Sequence, residues 1–254
     1  MQKSNSGFQI IVTTSDKSLW TTKTFAYLFN TYYSSLQNVH IVCESMPRFR
    51  LPPNFVLHPV HLDGITGWPI EKWTDGLARY LNSIPEQHVL IMLDDYWLVR
   101  TVDTRGINTL YEYMIERPEV LRVDLTGDRL YARDARDVDC YGHYDIISAQ
   151  GTEYQMSLMP GLWNKKLLLE VLQPNWSPWE VELSGTSVVN ERPELIVVGT
   201  RQWPIRIVNS LRNGREWVDI TGIEQTHLDH IIKSGWLERP LQSEIDDVQE
   251  KTDC

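Results

Sequence analysis

The feature that most constrains the fold of this chain is a run of five apolar residues, Val89 to Leu93, which ends in two adjacent acids, Asp94 and Asp95. The run is too short to cross a membrane, and its lack of polar alternation is typical of a strand buried on both faces. Carboxylates at the end of a core strand cost stability unless water, a cation or a basic group meets them. Because open α/β sheets bind ligands beyond the carboxyl ends of their strands, the pair predicts a site for a divalent cation and an anionic ligand. The alternative interpretation is that the two aspartates only begin a turn.

The residues around this strand alternate between strand and helix patterns. Strands are predicted at 8–14 and 39–43, with an edge strand at 55–62 because Pro59 interrupts it, and helices at 19–33, 70–84 and 104–116. The segment from Ser15 to Ser18 is interpreted as a loop that caps the first helix. This alternation predicts the α/β class, with a Rossmann-type, mostly parallel central sheet flanked by helices.

From about residue 118 onward the patterns are mixed. Strands are predicted at 120–124, 130–133, 144–149, 155–160, 195–199 and 205–211, helices at 164–172 and 226–234, a charged loop at 133–139 and a hairpin turn at Asn213-Gly214. Ser177 and Glu180 form a capping-box pattern that starts one more helix. We therefore expect one domain over residues 1–254, with a nucleotide-type front half (8–117), a mixed α+β back half (118–237) and an acidic, flexible tail (238–254).

Composition excludes several classes of protein. Of 254 residues, 42% are hydrophobic and 23% are charged, as in an ordinary globular protein. No apolar run is long enough to span a bilayer and the N-terminus lacks the apolar core of a signal peptide, so we expect a soluble, cytoplasmic protein. The three cysteines have no metal-ligand or redox spacing. A net charge of −10 disfavours nucleic acid and anionic lipid as partners.

Two segments together resemble a known family. Gly76-Leu-Ala-Arg79, followed by Val89 to Asp95, resembles the middle of a GT-A-fold glycosyltransferase, in which a Gly-x-Ala-Arg-like helix precedes a buried strand that ends in an Asp-x-Asp metal motif. The strand that leads into Thr13-Thr-Ser-Asp16 is similar to the family's first nucleotide-contacting loop, and the resemblance spans roughly residues 8 to 220. One departure is that the two acids are adjacent rather than two apart. Side chains at neighbouring strand positions diverge, so we expect Asp95 to face the metal and Asp94 to face the donor's ribose or sugar, or the reverse.

The resemblance implies a metal-dependent glycosyltransferase that moves a sugar from a nucleotide-diphosphate donor, expected to be a UDP-sugar, to an acceptor hydroxyl with inversion. Mn²⁺ or Mg²⁺ would neutralise the leaving diphosphate, and carboxylate oxygens suit either ion. The front half would bind the donor through Thr14, Asp16, Arg79 and Asp94. Glu180 or Glu182 would be the general base, with Glu180 preferred although it also closes the capping box. In the back half Trp163, Trp176 and Trp179 would line the acceptor side, and a glycan or lipid-linked precursor is the expected acceptor.

Three other functions remain open. A glycosyltransferase that modifies hydroxymethylated pyrimidines in DNA would use the arginines at 201, 206, 212 and 215 for phosphate contacts, although the acidic charge disfavours it. A nucleotidyltransferase would have a glycine-rich basic loop after the first strand, where this chain has Thr-Thr-Ser-Asp-Lys. A non-catalytic sugar-binding or scaffold protein would retain the fold without the chemistry. The pairs His58/His61 and His227/His230 are interpreted as polar surface rather than metal sites.

Overall fold

The computed structural model describes residues 7–62, 68–212 and 216–241. Its strands are β1 (Gln9–Thr13), β2 (Val39–Cys43), β3 (Phe55–Pro59), β4 (His88–Leu93), β5 (Tyr96–Leu98), β6 (Val120–Asp124), β7 (Arg136–Tyr141), β8 (Tyr144–Ser148), β9 (Gly161–Asn164), β10 (Ile196–Thr200) and β11 (Ile207–Asn209). Its α-helices are α1 (Thr21–Phe29), α2 (Trp73–Ser83), α3 (Thr104–Glu116), α4 (Lys165–Val171), α5 (Pro178–Asn190) and α6 (Gln225–Lys233). A π-helical segment, Asn30–Ser34, continues α1, and a 3₁₀ turn, Ile70–Lys72, precedes α2.

In the described residues the central sheet has nine strands in the order β3-β2-β1-β4-β9-β6-β10-β8-β7. The strands β3, β2, β1 and β4 pair in parallel, as do β6 and β10. Strand β9 lies antiparallel between β4 and β6, and β8 is antiparallel to both β10 and β7. All strands except β9 and β8 therefore run in one direction, which confirms the predicted α/β class with a mostly parallel sheet flanked by helices. A separate two-stranded ribbon pairs β5 with β11.

Alternating residues of the central strands bury two different hydrophobic clusters. On β1 and β4, Ile10 and Leu90 join the cluster that includes residues of α1 and α3, whereas Ile11 and Ile91 join the cluster that includes residues of α2, α4 and α5. Because both faces of the sheet are covered, β4 has no polar alternation. The interpretation of the 89–93 run as a strand buried on both faces is confirmed.

The back half differs from prediction in several places. Residues 130–133 and 155–160 form turns and irregular structure rather than strands, and the charged run predicted as a loop lies largely in β7. Strand β7 tolerates these charges because it is the outermost strand and pairs only with β8. Strands β5 and β9 were not predicted. The Asn213-Gly214 turn and the acidic tail beyond residue 241 lie outside the described residues.

The start of α1 also differs from prediction. The helix begins at Thr21 after Trp20, whose side chain forms no capping hydrogen bond, so the loop from Ser15 to Ser18 does not supply the cap.

None of the helices in the described part of the chain combines the length and apolar character that a bilayer-spanning helix needs.

Candidate active site

A cleft of about 1190 Å³ opens at the carboxyl ends of β1 and β4. The start of α5, the end of β11 and the segment before α2 form its other walls. Its polar lining comprises Thr14, Ser15, Lys17, Ser18, Glu44, Glu71, Asp94, Asp95, Glu182, Asn209, Arg212, Glu216 and Arg239. The position agrees with the general rule for ligand sites in open α/β sheets.

Asp94 fixes the floor of this cleft. It is 5% exposed, and its Oδ2 accepts hydrogen bonds from the hydroxyls of Thr14 and Thr21, each at 2.7 Å. These contacts connect the end of β4 to the loop after β1 and to the first residue of α1. Burial raises the pKa of Asp94 to about 6, and the hydroxyl donors oppose that rise. The carboxylate therefore holds the loop after β1 and the start of α1 against the end of β4 at the cleft.

Asp95 presents an oxygen without a partner. In the described residues its Oδ1 is buried and accepts no hydrogen bond, while its backbone carbonyl accepts from the backbone N–H and the hydroxyl of Ser210, at 2.8 and 3.0 Å. Burial, and next the charge of Asp94, raise its pKa well above the usual value for aspartate. A buried carboxylate oxygen without a hydrogen-bond partner is costly, and a cation would remove that cost.

Asn209 supplies a second oxygen of the same kind. It lies opposite Tyr96 in the β5–β11 ribbon, and its Oδ1 is also buried without a partner in the described part of the chain. Carboxylate and amide oxygens are ligands that Mg²⁺ and Mn²⁺ accept. The described residues contain no cluster of three or more His, Cys, Asp or Glu side chains that could hold a metal. Asp95 and Asn209 both line the cleft, so their oxygens fit a divalent cation whose remaining ligands come from water or from a bound phosphate group.

Cations and indole rings complete the cleft. Lys17, Arg212 and Arg239 line it, and the Nε of Arg212 lies 3.7 Å from a carboxylate oxygen of Asp219. Three tryptophans contribute to the walls, with Trp68 and Trp73 6% exposed and Trp179 50% exposed. Indole faces suit sugars and bases, while the basic side chains suit an anionic group.

The two glutamates proposed as general bases have different surroundings. Glu180 is exposed, and its Oε2 accepts from the N–H of Ser177 at 2.7 Å, in a complete capping box. These hydrogen bonds lower the pKa of Glu180. Glu182 lines the cleft, its Oε1 accepts from the N–H of Leu158 at 2.9 Å, and burial raises its pKa. Of the two carboxylates, that of Glu182 lies in the cleft, whereas that of Glu180, the preferred candidate from sequence, is occupied by the helix cap.

Four other predicted site residues lie away from the cleft lining. Arg79 is on the outer face of α2, in a separate depression of about 580 Å³. Asp16 accepts hydrogen bonds from the N–H and hydroxyl of Ser45, at 3.0 and 2.7 Å, so it joins the loops after β1 and β2. Trp163 is 1% exposed, and Trp176 packs against Gly185 while its backbone N–H donates to Thr74. None of these four residues lines the cleft. Donor binding by Arg79 and Asp16, and an acceptor-side role for the two tryptophans, therefore stay predictions without support from the cleft.

Several cleft residues were missed from sequence. Trp68 packs directly on Gly76 of α2, where a Cβ atom would collide with its indole, so the glycine of the family-like segment makes room for a cleft wall. Asn209 carries no sequence signal, because its place depends on the pairing of β5 with β11. The predicted arginine cluster is divided, since Arg201 pairs with Asp137 at 2.6 Å, Arg206 stacks on Trp203 and Arg212 lines the cleft. Arg215 lies outside the described residues.

Comparison with known proteins gives similarity in structure but not in sequence. No protein-family model matches the chain, and no curated protein sequence matches it. Similar solved structures include a fragment of S. aureus TarS (11% identity, TM-score 0.45, covering 78% of this chain and 59% of that one) and the Streptococcus pneumoniae glycosyltransferase GlyE (9%, 0.44, 78% and 46%). A UDP-glucose pyrophosphorylase from Acinetobacter baumanii (9%, 0.49, 96% and 99%) is also similar. This chain thus spans little more than half of the TarS fragment.

Glycosyltransferases and nucleotidyltransferases therefore both occur among the similar structures. All of these TM-scores are below 0.5.

Proposed function

We propose that this chain is a divalent-cation-dependent glycosyltransferase that takes a sugar from a nucleotide-diphosphate donor and transfers it to an acceptor hydroxyl. The observation that carries the proposal is the buried Oδ1 of Asp95, which has no hydrogen-bond partner in the described residues and belongs to a side chain that lines the large cleft. Asn209 lines the same cleft and also has an Oδ1 without a partner there. Mn²⁺ or Mg²⁺ held by these oxygens would act as a Lewis acid on the diphosphate. The hydroxyls of Thr14 and Thr21 hold Asp94, and Asp94 fixes the end of β4 next to Asp95 rather than contacting the sugar.

The remaining cleft residues have roles that follow from their chemistry. Lys17 and Arg212 balance the negative charge that develops on the departing diphosphate. The half-exposed ring of Trp179 offers an apolar face to the sugar or the acceptor. These groups supply charge balance and orientation, which a phosphate leaving group requires.

Glu182 is the proposed general base. Its raised pKa makes it a stronger proton acceptor than an exposed glutamate, because Brønsted behaviour favours a base whose pKa approaches the working pH. It takes the proton from the acceptor hydroxyl while that oxygen attacks the anomeric carbon and the bond to the diphosphate breaks. Attack from the side opposite the leaving group inverts the configuration.

Isothermal titration calorimetry with UDP and Mn²⁺ tests the proposal, since UDP is the expected nucleotide and TarS has also been solved in complex with UDP. We expect Mn²⁺-dependent binding that Asp95→Asn weakens by about tenfold or more, equivalent to at least about 1.4 kcal/mol. Asp229→Asn, an exposed aspartate on α6, is the matched control and is expected to bind as the wild type does. Binding that is independent of Mn²⁺, or unaffected by Asp95→Asn, would contradict the proposal.

A second assay separates glycosyl transfer from nucleotidyl transfer. A screen of nucleotide sugars for metal-dependent hydrolysis needs no acceptor, because water replaces it slowly. A glycosyltransferase releases the nucleoside diphosphate and free sugar. Release of pyrophosphate from UTP in the presence of a sugar phosphate would instead identify a nucleotidyltransferase.

A further inference from the structure

A second cavity of about 930 Å³ lies beyond the β5–β11 ribbon, and the proposed transfer chemistry does not use it. It opens beside the loop that follows β6. We name it the aromatic–arginine groove after the lining residues used below, which are Arg129, Tyr131, Tyr154, Trp203 and Arg206.

The aromatic side of the groove is exposed and prearranged. Tyr131 is 76% exposed, and its ring meets that of Trp203 edge-on at a centroid distance of 5.7 Å. The guanidinium of Arg206 lies 3.8 Å from the centre of the Trp203 ring. A Cβ atom at Gly127 would lie 2.7 Å from Trp203, so this glycine lets the indole rest against the loop after β6. The exposed ring of Tyr131 thus presents a flat face next to the positive charge that Arg206 holds against Trp203.

The inner side of the groove contains a buried arginine. Arg129 is 2% exposed, and it donates to the backbone carbonyl of Glu153 and to Asp128, each at 3.2 Å. In the described residues its Nε, like the Nε1 of Trp203, is buried without a partner. Tyr154 has a left-handed backbone, with φ 57°, which is rare for a bulky residue and recurs at ligand-binding sites. These features are typical of a ligand-binding site and not of an ordinary surface depression.

The arginines, aromatic rings and carboxylates that line the groove together indicate which class of ligand it binds. Arginine side chains bind phosphate, and aromatic faces bind rings. The carboxylates of Asp128, Asp134 and Glu153, also in the lining, accept hydrogen bonds from hydroxyls but repel a continuous phosphate backbone. With a net charge of −10 over the chain, a hydroxyl-rich ring that carries one phosphate fits better than a nucleic acid.

The groove and the cleft are neighbours along the ribbon. Tyr96 and Asn209 line the cleft, whereas Val99 and Ile207 line the groove. Three residues of extended chain span about 10 Å, so the two cavities are separated by about this distance along the ribbon.

We propose that the aromatic–arginine groove binds a sugar phosphate, with the sugar ring against the exposed face of Tyr131 and the phosphate against Arg206, which Trp203 holds in place. Binding in the groove stands independently of the cleft. That the bound molecule belongs to the acceptor of the transfer reaction rests on the proposed function.

Saturation-transfer NMR and calorimetry on the full chain test this proposal, with glucose 6-phosphate as the probe. We expect glucose 6-phosphate to bind, and Arg206→Ala and Tyr131→Ala each to weaken binding about tenfold, which corresponds to about 1.4 kcal/mol. Arg105→Ala, an exposed arginine on α3, is the matched control and should leave binding unchanged. Methyl glucoside and inorganic phosphate, which each lack one half of the probe, should bind more weakly than glucose 6-phosphate.

The outcomes separate the groove from the cleft. Absence of glucose 6-phosphate binding at about 10 mM, a concentration above the Kd of even a weak complex of about −4 kcal/mol, would overturn the proposal. So would binding that is unchanged in both groove variants, or tighter and equally sensitive binding of an oligothymidylate, which would assign the groove to nucleic acid. Mn²⁺-dependent UDP binding is measured on the same samples. If the wild type showed no Mn²⁺-dependent UDP binding, the proposed function alone would be rejected. If both groove variants keep this UDP binding, they are folded.

Discussion

Glu180 and Glu182 lie two residues apart on α5, and their surroundings shift their acidities in opposite directions. Hydrogen bonds from Ser177 stabilise the charged form of Glu180, whereas burial beside the cleft disfavours the charged form of Glu182. The helix cap thus occupies the carboxylate of Glu180, whereas the carboxylate of Glu182 stays available in the cleft.

The pair gives a matched test of the general base. Glu182→Gln keeps an oxygen for the N–H of Leu158 but cannot accept a proton, so we expect the transfer rate to fall about 100-fold or more with donor binding unchanged. Glu180→Gln retains a capping box and should transfer at nearly the wild-type rate. Initial rates and UDP titrations on both variants check this. A larger loss in Glu180→Gln would return the base to that position.

The Asp94–Asp95 pair predicts an acid limit for cation binding. Burial raises the pKa of Asp94 from 3.8 to about 6 and also raises the pKa of Asp95. Lowering the pH through about 6 therefore protonates this pair of carboxylates and removes negative charge that would attract the cation. Without a cation the folded chain holds the proton more tightly than the unfolded chain. Stability contributed by the protonated form is therefore lost as the pH rises from about 4 through 6.

Thermal unfolding with and without Mn²⁺ measures both effects. We expect the increase in Tm from Mn²⁺ to be small near pH 5 and clearly larger near pH 7.5, because ligand binding to the folded state alone stabilises it. Asp95→Asn should abolish most of the difference. An equal increase at both pH values would show that these carboxylates do not bind the ion.

At the scale of elements, α1 is attached to β4 by a side chain rather than by a conventional cap. The hydroxyl of Thr21 lies 2.7 Å from both Asp94 Oδ2 and the backbone carbonyl of Ser18. The start of the helix and the acidic end of the strand are therefore positioned together.

Replacing Thr21 with valine tests this connection. Valine keeps the shape but removes a donor from a buried carboxylate, so we expect the free energy of unfolding to fall by about 1–3 kcal/mol and Mn²⁺-dependent UDP binding to weaken. Thr31→Val removes an exposed hydroxyl that donates to the carbonyl of Tyr27, and it should have little effect. Urea denaturation of both variants checks the difference, and equal losses would argue against the connection.

The front half was predictable from sequence because its strands are apolar and its helices are amphipathic. The back half was less predictable for a physical reason. Strand β9 is only four residues long, so the alternation that buries Leu162 and Trp163 on opposite faces is too short to read. Trp163 was therefore expected at the acceptor side although it belongs to the core. The acidic pair was found because a core strand rarely ends in two charges, whereas Asn209 had no comparable signal.

Across the whole molecule, a buried ion cluster joins the two halves of the sheet. Arg122 on β6 is fully buried, its Nη2 lies 3.3 Å from Asp124 and donates to the carbonyl of Met159 at 3.2 Å, and its guanidinium lies over Trp163 at 5.3 Å. Burial raises the pKa of Asp124, and Arg122 opposes that rise.

Arg122→Met should destabilise the protein strongly. Removing one member of a buried ion pair leaves an uncompensated charge on Asp124, which typically costs about 3–5 kcal/mol. Arg117→Met, at a partly exposed pair with Asp139, is the control and should cost clearly less. Chemical denaturation measures the free energy of unfolding of both variants. Similar decreases would show that the buried pair contributes no more to stability than the partly exposed pair.

The antiparallel strand in the middle of the sheet has a consequence for biosynthesis. Strands β1 to β4 leave the ribosome first, and the free side of β4 has no partner until residues 161–164 are made and fill the gap next to β6. During that interval a strongly apolar strand exposes its backbone donors and acceptors to any other nascent chain. Translation that stalls before Gly161 should therefore produce aggregates or chaperone-bound fragments, whereas a chain that extends past Asn164 can close this edge by itself.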